Sequence, residues 1–398
     1  MPIDRRTFKI TGRGRAEQQR GSIIAQLISG FWLPALAPPN LSEADLTSIL
    51  LRLCRSGAGA LAWWRIRDTE LAKCPAGLEL QQVYRRFRLS AKVHEQEIKD
   101  VFALLRDVGI EPVLVKGWAI SRLYPDPGLR PYGDIDLCVR PDQFAKAAAT
   151  LKCPEIVEGH YVDLHAGFDG IGKEDDVRRL RRFRRLGGKV NNSLAQVTPS
   201  SHGLTLQSHR CNLWTQLFDR SELVPLGDQR IRILGDEDHL RVLCLHLLRS
   251  GAWRPLWLCD VALALETRAN DFNWDICLGH DQRQAEWVAC TINLGQELLG
   301  ANEDFEFRIS HVEIPRWLVP AVLEQWGRER DPSERATVLP ELIWKTRRVR
   351  KLFSEFHSRW DNPVRATART GGRFNNWPRW PYQLLESVLR LPEVFADV

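Results

Sequence analysis

The sequence predicts an α+β protein in which a few short strands lie between two helical regions. Apolar residues recur at helical spacing over 98–105, and Gly109 follows at a position where helices commonly end. Short runs rich in β-branched and other apolar residues then alternate with turn residues, and helical spacing returns after Asp236. The expected strands are residues 112–115, 134–139, 161–165 and 231–234.

The chain of 398 residues has room for two or three compact units. We expect a flexible basic tail over residues 1–20 and an N-terminal helical region over 21–108. A mixed domain with the strands follows over 109–235, and a C-terminal helical region covers 236–398. Inside the mixed domain, residues from about 170 to 210 are rich in arginine and turn residues, which indicates an inserted basic loop.

The composition excludes several classes of protein. With 44% hydrophobic and 27% charged residues, the chain is not a disordered, collagen-like or coiled-coil protein. Its nine cysteines are odd in number and never spaced C-x-x-C, which argues against a disulfide framework or a zinc ribbon. The net charge of +6 is too small to identify a nucleic-acid binder. No apolar run is long enough to span a membrane, so we expect a cytoplasmic protein that has no membrane partner.

Two aspartates separated by one apolar residue are the first chemical signal in the sequence. Successive strand residues point to opposite faces, so Asp134 and Asp136 should share a face that Ile135 does not. Their carboxylates repel unless a cation lies between them, and Mg²⁺ prefers such oxygen ligands. The same alternation places Asp163 and His165 on one face of the next strand.

If that strand is the neighbour of the first, the carboxylates of Asp134, Asp136 and Asp163 converge, and three carboxylates are a ligand set expected of a two-metal Mg²⁺ site. Asp163 would also polarise or deprotonate an acceptor hydroxyl group. His165 is equally consistent with a phosphate contact, with orientation of Asp163 and with a purely structural role.

A lysine and a glycine lie between the first strand and a short helical stretch. At such a turn, backbone N–H groups and the ammonium of Lys116 can receive phosphate oxygens, and Gly117 lets the backbone approach closely. Arg122 and Arg130 are further candidates for phosphate contact, although a solvated or ion-paired arginine is an equal explanation.

The run from Val115 to Leu137 resembles the polymerase-β-like nucleotidyltransferases, and more closely the bacterial "uncharacterised nucleotidyltransferase" family. The matching residues are Lys116-Gly117, Tyr124-Pro125-Asp126-Pro127-Gly128, Arg130-Pro131 and Gly133-Asp134-Ile135-Asp136-Leu137. A V-D-L-H motif at 162–165 and a W-x-x-D motif at 257–260, which follows His246, extend the resemblance to about residues 41–299.

This resemblance implies a nucleotidyltransferase fold, a small mixed β-sheet with flanking helices, over residues 109–235. It implies Mg²⁺-dependent transfer of a nucleoside monophosphate from a nucleoside triphosphate to a hydroxyl-bearing acceptor, with release of pyrophosphate. The three aspartates would be the metal ligands and catalytic residues, and Lys116, Gly117 and Arg130 would bind the nucleotide. The phosphate loop departs from the wider superfamily, because Gly117 is followed by Trp118 and not by serine or glycine.

The sequence leaves alternatives open. A small-molecule acceptor is favoured, but a tRNA-modifying or toxin-like enzyme would use RNA as the acceptor, and the arginine-rich insertion supports that alternative. A further alternative is an inactive nucleotide-binding protein that acts as a regulator or scaffold.

Overall fold

A computed structural model of the chain describes residues 12–33, 37–151, 162–168, 213–301, 312–329 and 362–389. The predicted basic loop at about 170–210 lies outside these ranges. The chain divides into two compact units. The first unit comprises residues 1–84, 247–262 and 282–398, and the second comprises 85–246 and 263–281. The predicted mixed domain, 109–235, falls entirely within the second unit.

The second unit contains a five-stranded mixed sheet. Its strands are β1 (Val113–Leu114), β2 (Ile135–Val139), β3 (Val162–Ala166), β4 (Glu222–Leu226) and β5 (Gln229–Ile233). Their spatial order is β3-β2-β1-β5-β4. The pairs β2/β3 and β1/β5 are parallel, whereas β1/β2 and β4/β5 are antiparallel. The carboxyl ends of β1 and β5 therefore meet the amino ends of β2, β3 and β4 at one edge, which we call the site edge.

Four of these strands lie where the sequence predicts them, within one or two residues at either end. The sequence analysis did not predict β4, which contains Pro225. Proline has no N–H to donate, so it argues against a strand unless that strand lies at the edge of a sheet, as β4 does. A tight hairpin joins β4 to β5 through Gly227, whose φ of 59° suits a residue without a side chain.

Both faces of the sheet are covered by apolar residues. On one face, the helix Pro75–Asp107 packs Ile98, Val101, Phe102 and Leu105 against Leu114, Leu137 and Val139. The helix ends at Gly109, where the N–H of Ile110 bonds the Leu105 carbonyl and that of Gly109 bonds the Arg106 carbonyl. On the other face, Val113, Val115 and Cys138 pack with Trp214 and Leu217 of a helix over residues 213–219.

The described ranges contain twelve further α-helices. They are Gly12–Ile28, Glu43–Ser56, Gly59–Ile66, Trp118–Ser121, Phe144–Thr150, Asp236–Arg249, Pro255–Glu266, Trp274–Leu278, Gln282–Leu299, Leu318–Gly327, Pro363–Arg369 and Trp380–Leu389. Short 3₁₀ helices cover Glu70–Lys73, Pro127–Leu129 and Pro141–Gln143. No helix within the described ranges combines the length and the apolarity that crossing a bilayer requires.

Residues 12–20 differ from the flexible tail that the sequence predicted, because they form the first half of the helix Gly12–Ile28. This helix packs closely against Leu318–Gly327 within the first unit. A Cβ added to Gly21 would lie 2.0 Å from the Leu323 carbonyl oxygen, and one added to Gly327 would lie 1.8 Å from the Glu17 carbonyl oxygen. Residues 12–20 are almost all polar or glycine, so they carry little of the apolar periodicity that predicts a helix.

The described cysteines are all free thiols, as their spacing predicts. They are Cys54, Cys74, Cys138, Cys244, Cys259, Cys277 and Cys290, and all but the first two are buried.

The Gly128 position tests how the loop before β2 is held. A Cβ at Gly128 would lie 2.9 to 3.1 Å from the Cβ and backbone atoms of Arg88 on the helix Pro75–Asp107. Backbone cannot yield as a flexible side chain does, so we expect Gly128→Ala to lower the free energy of unfolding by about 1–3 kcal/mol. Urea denaturation followed by circular dichroism measures the change.

Gly133→Ala is the matched control, because nothing lies within 4 Å of a Cβ built there. Both substitutions restrict the unfolded chain equally, so the difference between them isolates the close contact. Equal stabilities of the two variants would contradict the packing described here.

Candidate functional site

The central pair of acidic residues lies on neighbouring parallel strands at the site edge. Asp136 on β2 stands directly opposite Asp163 on β3 in the sheet register. Both side chains are buried, each 5% exposed. Residues opposite each other in a sheet share a face, so the two carboxylates lie side by side. Their like charges must be balanced nearby if both are to ionise.

Lys116 supplies one balancing charge. Its Nζ lies 2.9 Å from Oδ1 of Asp136. The N–H of Val115 donates to the Asp136 carbonyl at 3.1 Å, which extends the β1/β2 pairing and delivers the next residue beside the aspartate. Burial lowers the pKa of Lys116, but the carboxylate of Asp136, helped by those of Asp134 and Asp163, outweighs burial and leaves the pKa raised. Lys116 is therefore an ammonium group at neutral pH.

His165 supplies the second balancing charge. Its Nε2 lies 3.4 Å from Oδ2 of Asp163 and 4.0 Å from Oδ1 of Asp136. One ligand atom from each of these three residues lies within 4.8 Å of the other two. Burial lowers the pKa of His165, yet the two aspartates more than compensate and raise it to about 9.

The two aspartates of the D-x-D motif have different environments. Burial raises the pKa of Asp136, but Lys116 and His165 prevail and hold it well below its usual range. Asp134 precedes β2 and is partly exposed. Burial and the charge of Asp136 raise its pKa, and Lys116 and Arg130 offset only part of this rise. Asp134 is not a member of the close group that Asp136 forms with Asp163 and His165.

Several polar atoms of the close group have no hydrogen-bond partner among the described residues. They are Oδ1 of Asp163 and Nδ1 of His165, whereas Nε2 of His165 has the ion pairs with Asp163 and Asp136 but no hydrogen bond of good geometry within the described part of the chain. Leaving buried polar atoms unpaired costs free energy, so the arrangement indicates a site that a ligand completes. Two carboxylates and one imidazole are suitable donors for a divalent cation, with the carboxylates fitting Mg²⁺ and the imidazole also fitting transition metals.

The turn at Gly117 depends on glycine. Its φ of 62° and ψ of −114° form a combination that side-chain-bearing residues rarely adopt. A Cβ there would also lie 3.4 Å from the Asp134 carbonyl oxygen. No described residue accepts a hydrogen bond from the backbone N–H of Gly117 or Trp118. The turn therefore presents two backbone donors close to the D-x-D motif.

Arg130 lies between the Pro127–Leu129 turn and the D-x-D motif, and its side chain is buried. Its carbonyl accepts a bond of 3.4 Å from Oγ of Ser121, which ties the loop to the helix Trp118–Ser121. Its charge acts on Asp134. Arg122, by contrast, is exposed.

The structure thus brings Lys116, Asp136 and Asp163 into direct contact range and places Asp134, Gly117 and Arg130 around them. His165 is a fuller member of the group than the sequence analysis assumed. The signal was present, because alternation in V-D-L-H already placed His165 on the face of Asp163. What the sequence does not show is the parallel register that brings that face to Asp136.

A family model described as "uncharacterised nucleotidyltransferase" matches residues 42–287 of the chain. In the same comparisons, no curated protein and no solved structure matches this chain.

The raised pKa of His165 predicts that cation binding is coupled to proton release. Below about pH 9 the metal-free protein holds a proton on His165, and a cation that uses its imidazole must displace that proton. Apparent Mg²⁺ or Mn²⁺ affinity should rise with pH, by up to about tenfold per unit, and level off above the His165 pKa. Calorimetric titration near neutral pH, in two buffers of different ionisation enthalpy, counts the released protons.

His165→Asn should reduce the proton count, whereas Asp142→Asn, which changes an exposed carboxylate beyond the far end of β2, should not. Equal heats in the two buffers for the wild-type protein would show that His165 keeps its proton or lies outside the cation site.

Proposed function

The chain belongs to the uncharacterised nucleotidyltransferase family, and we propose that it is a Mg²⁺-dependent enzyme that moves a nucleoside monophosphate from a nucleoside triphosphate to a hydroxyl-bearing acceptor, releasing pyrophosphate. The observation that carries this proposal is the buried pair Asp136 and Asp163, in register on parallel strands and next to unpaired polar atoms. We infer the class of reaction from membership of the family, and we infer the position of the active site from the acidic pair.

We assign the cation site to Asp136 and Asp163, with Asp134 as the third carboxylate of a two-metal arrangement. When bound there, Mg²⁺ would neutralise charge on the triphosphate and lower the pKa of the attacking hydroxyl. The raised pKa of Asp134 and the lowered pKa of Asp136 suit different tasks. Asp136 is a permanently ionised ligand, whereas Asp134 ionises readily once further positive charge arrives.

We assign the triphosphate to the turn that follows β1. The two backbone N–H donors of Gly117 and Trp118 can bond phosphate oxygens, and Gly117 leaves room for their approach. Lys116 is paired with Asp136 in the absence of ligand, and its flexible stem allows it to share its charge with a phosphate group. Arg130 adds a further positive charge beside Asp134.

The chemical step requires an acceptor hydroxyl held in line with the bond that breaks. Its oxygen bonds to the α-phosphorus, and the bond from that phosphorus to the bridging oxygen of the β-phosphate breaks. The electron pair leaves with pyrophosphate. Asp163 is the residue placed to take the hydroxyl proton, since Oδ1 has no other partner among the described residues.

The direct test is incubation with Mg²⁺ and each α-labelled nucleoside triphosphate in the presence of cell extract, followed by fractionation of labelled products. Asp136→Asn keeps the size of the side chain and removes its charge. We expect it to lower labelling by at least about 100-fold, because charge stabilisation at the reacting phosphate is lost. Asp142→Asn makes the same chemical change on an exposed residue and should label as the wild type does.

The products separate the alternatives. Label in a small molecule supports the favoured acceptor, and label in nuclease-sensitive material identifies RNA. Binding of nucleoside triphosphate without any labelled product would support the inactive nucleotide-binding protein. Undiminished labelling by Asp136→Asn would overturn the metal-site assignment.

A further inference from the structure

A buried histidine outside the acidic group lies at the same edge of the sheet. β1 and β5 are parallel, with Leu114 opposite Ile233, so the residues that follow them leave the sheet on the same side. After β1 come Lys116 and Gly117, and after β5 comes the helix Asp236–Arg249. His239 lies in the first turns of that helix, where its N–H bonds the Gly235 carbonyl.

The start of this helix is firmly positioned. Arg220 makes a bidentate pair with Asp238, with N···O distances of 2.8 and 2.9 Å. A Cβ at Gly235 would lie 2.7 Å from the Arg220 carbonyl oxygen, so the chain passes closely there. Because these contacts fix the backbone on both sides of Asp236, His239 has little freedom to move away from the site edge.

His239 is 3% exposed, and its Nε2 has no hydrogen-bond partner among the described residues. A buried imidazole nitrogen without a partner is costly, and it would be satisfied by a ligand that accepts or donates a hydrogen bond. Nothing in the proposed chemistry at Asp136 and Asp163 uses this atom.

The charges that act on His239 are both positive. Burial, with the guanidinium groups of Arg122 and Arg130, lowers its pKa to about 3. The imidazole is therefore neutral and can place its single proton on Nε2 as a donor.

Both arginines belong to the segment that follows β1, since Arg122 comes directly after the helix Trp118–Ser121 and the Arg130 carbonyl accepts the bond from Ser121 Oγ. A neutral donor beside a segment that carries two guanidinium groups is the chemistry of an anion site. Arg122 also acts on Glu222 and Asp236, whose pKa values are raised chiefly by burial.

Arg130 connects this group with the acidic site, since its charge acts on both His239 and Asp134. An anion at His239 would accordingly lie near the phosphate-binding turn, on the β5 side of the D-x-D motif. When the α-phosphate of a nucleoside triphosphate faces Asp136 and Asp163, the β- and γ-phosphates need a binding site of their own.

We propose that His239, Arg122 and Arg130 form a subsite for the terminal phosphates of the nucleoside triphosphate, with His239 as a positioning residue that donates from Nε2. The identity of the ligand rests on the proposed function. The subsite itself rests on the buried, unpaired imidazole and its two arginines.

Inorganic tripolyphosphate is the probe, titrated calorimetrically into the full-length protein in the presence of EDTA, so that no divalent cation contributes. His239→Leu removes the donor, and we expect the dissociation constant to rise about tenfold or more, as for loss of a hydrogen bond to a charged group. His239→Gln keeps an N–H donor and should restore much of the affinity. Arg122→Gln, on an exposed residue, should weaken binding by about threefold.

Kinetics supply the second readout. With a labelled nucleoside triphosphate, His239→Leu should raise KM far more than it lowers kcat, because the terminal phosphates are bound similarly before and during the reaction. Arg140→Gln is the matched arginine control, half-exposed and paired with Asp142 near the other end of β2. It should change neither tripolyphosphate binding nor KM.

The outcomes separate this inference from the proposed function. Tripolyphosphate binding that His239→Leu weakens and His239→Gln restores supports the subsite even if no nucleotide is transferred. Transfer activity with unchanged tripolyphosphate affinity and KM in both His239→Leu and Arg122→Gln overturns the subsite and leaves the proposed function intact. If His239→Leu does not fold, as judged by circular dichroism, the tripolyphosphate affinities of Arg122→Gln and Arg140→Gln are compared instead. Weaker binding by Arg122→Gln alone supports the subsite, and equal affinities overturn it.

Discussion

The site depends on one electrostatic constraint, which is that two buried carboxylates facing each other across β2 and β3 can both ionise only beside positive charge. The sheet provides this charge from its own strands. β1 ends so that Lys116 reaches Asp136, and β3 carries His165 two residues beyond Asp163 on the same face. The ammonium and the imidazolium hold the acidic pair together when no metal ion is bound. In the proposed reaction, an incoming cation displaces the His165 proton and the triphosphate shares the charge of Lys116.

The end of β1 brings Lys116 to the acidic pair. β1 has only two residues, and the backbone bond from Val115 to Asp136 extends its pairing with β2, so that Lys116 follows directly beside Asp136. The chain then turns at Gly117, whose positive φ would strain the backbone of a residue that carries a side chain. On the opposite face of the sheet, Ile135, Leu137 and Leu164 are buried in an apolar cluster and anchor β2 and β3 from below the acidic face.

The sequence predicts four of the five described strands and which acidic residues share a face of one strand, but not how the strands pair. Alternation alone places Asp134 with Asp136, and Asp163 with His165, on one face of their own strands, because strand periodicity is local. It cannot show that β2 and β3 are parallel and in register, so it gives His165 no special weight. Pro225 argues against β4, and the first half of the helix Gly12–Ile28 is not predicted because residues 12–20 are almost all polar or glycine. His239 carries no sequence signal, since only the parallel pairing of β1 and β5 brings it to the site edge.

The strand order assigns different parts of the proposed reaction to different parts of the sheet. β1 and β5 are adjacent inner strands, and the segments that follow them bear Lys116, Gly117 and His239, the residues to which we assign phosphate binding. Asp163 lies on β3, the edge strand that pairs with β2 on the side away from β1. We propose that a triphosphate bound over β1 and β5 directs its α-phosphorus toward β2, and that the acceptor reaches Asp163 from the β3 side. Attack and departure on opposite sides of the phosphorus are what in-line transfer requires. In this proposal the strand order places the acceptor and the leaving pyrophosphate on opposite sides of β2.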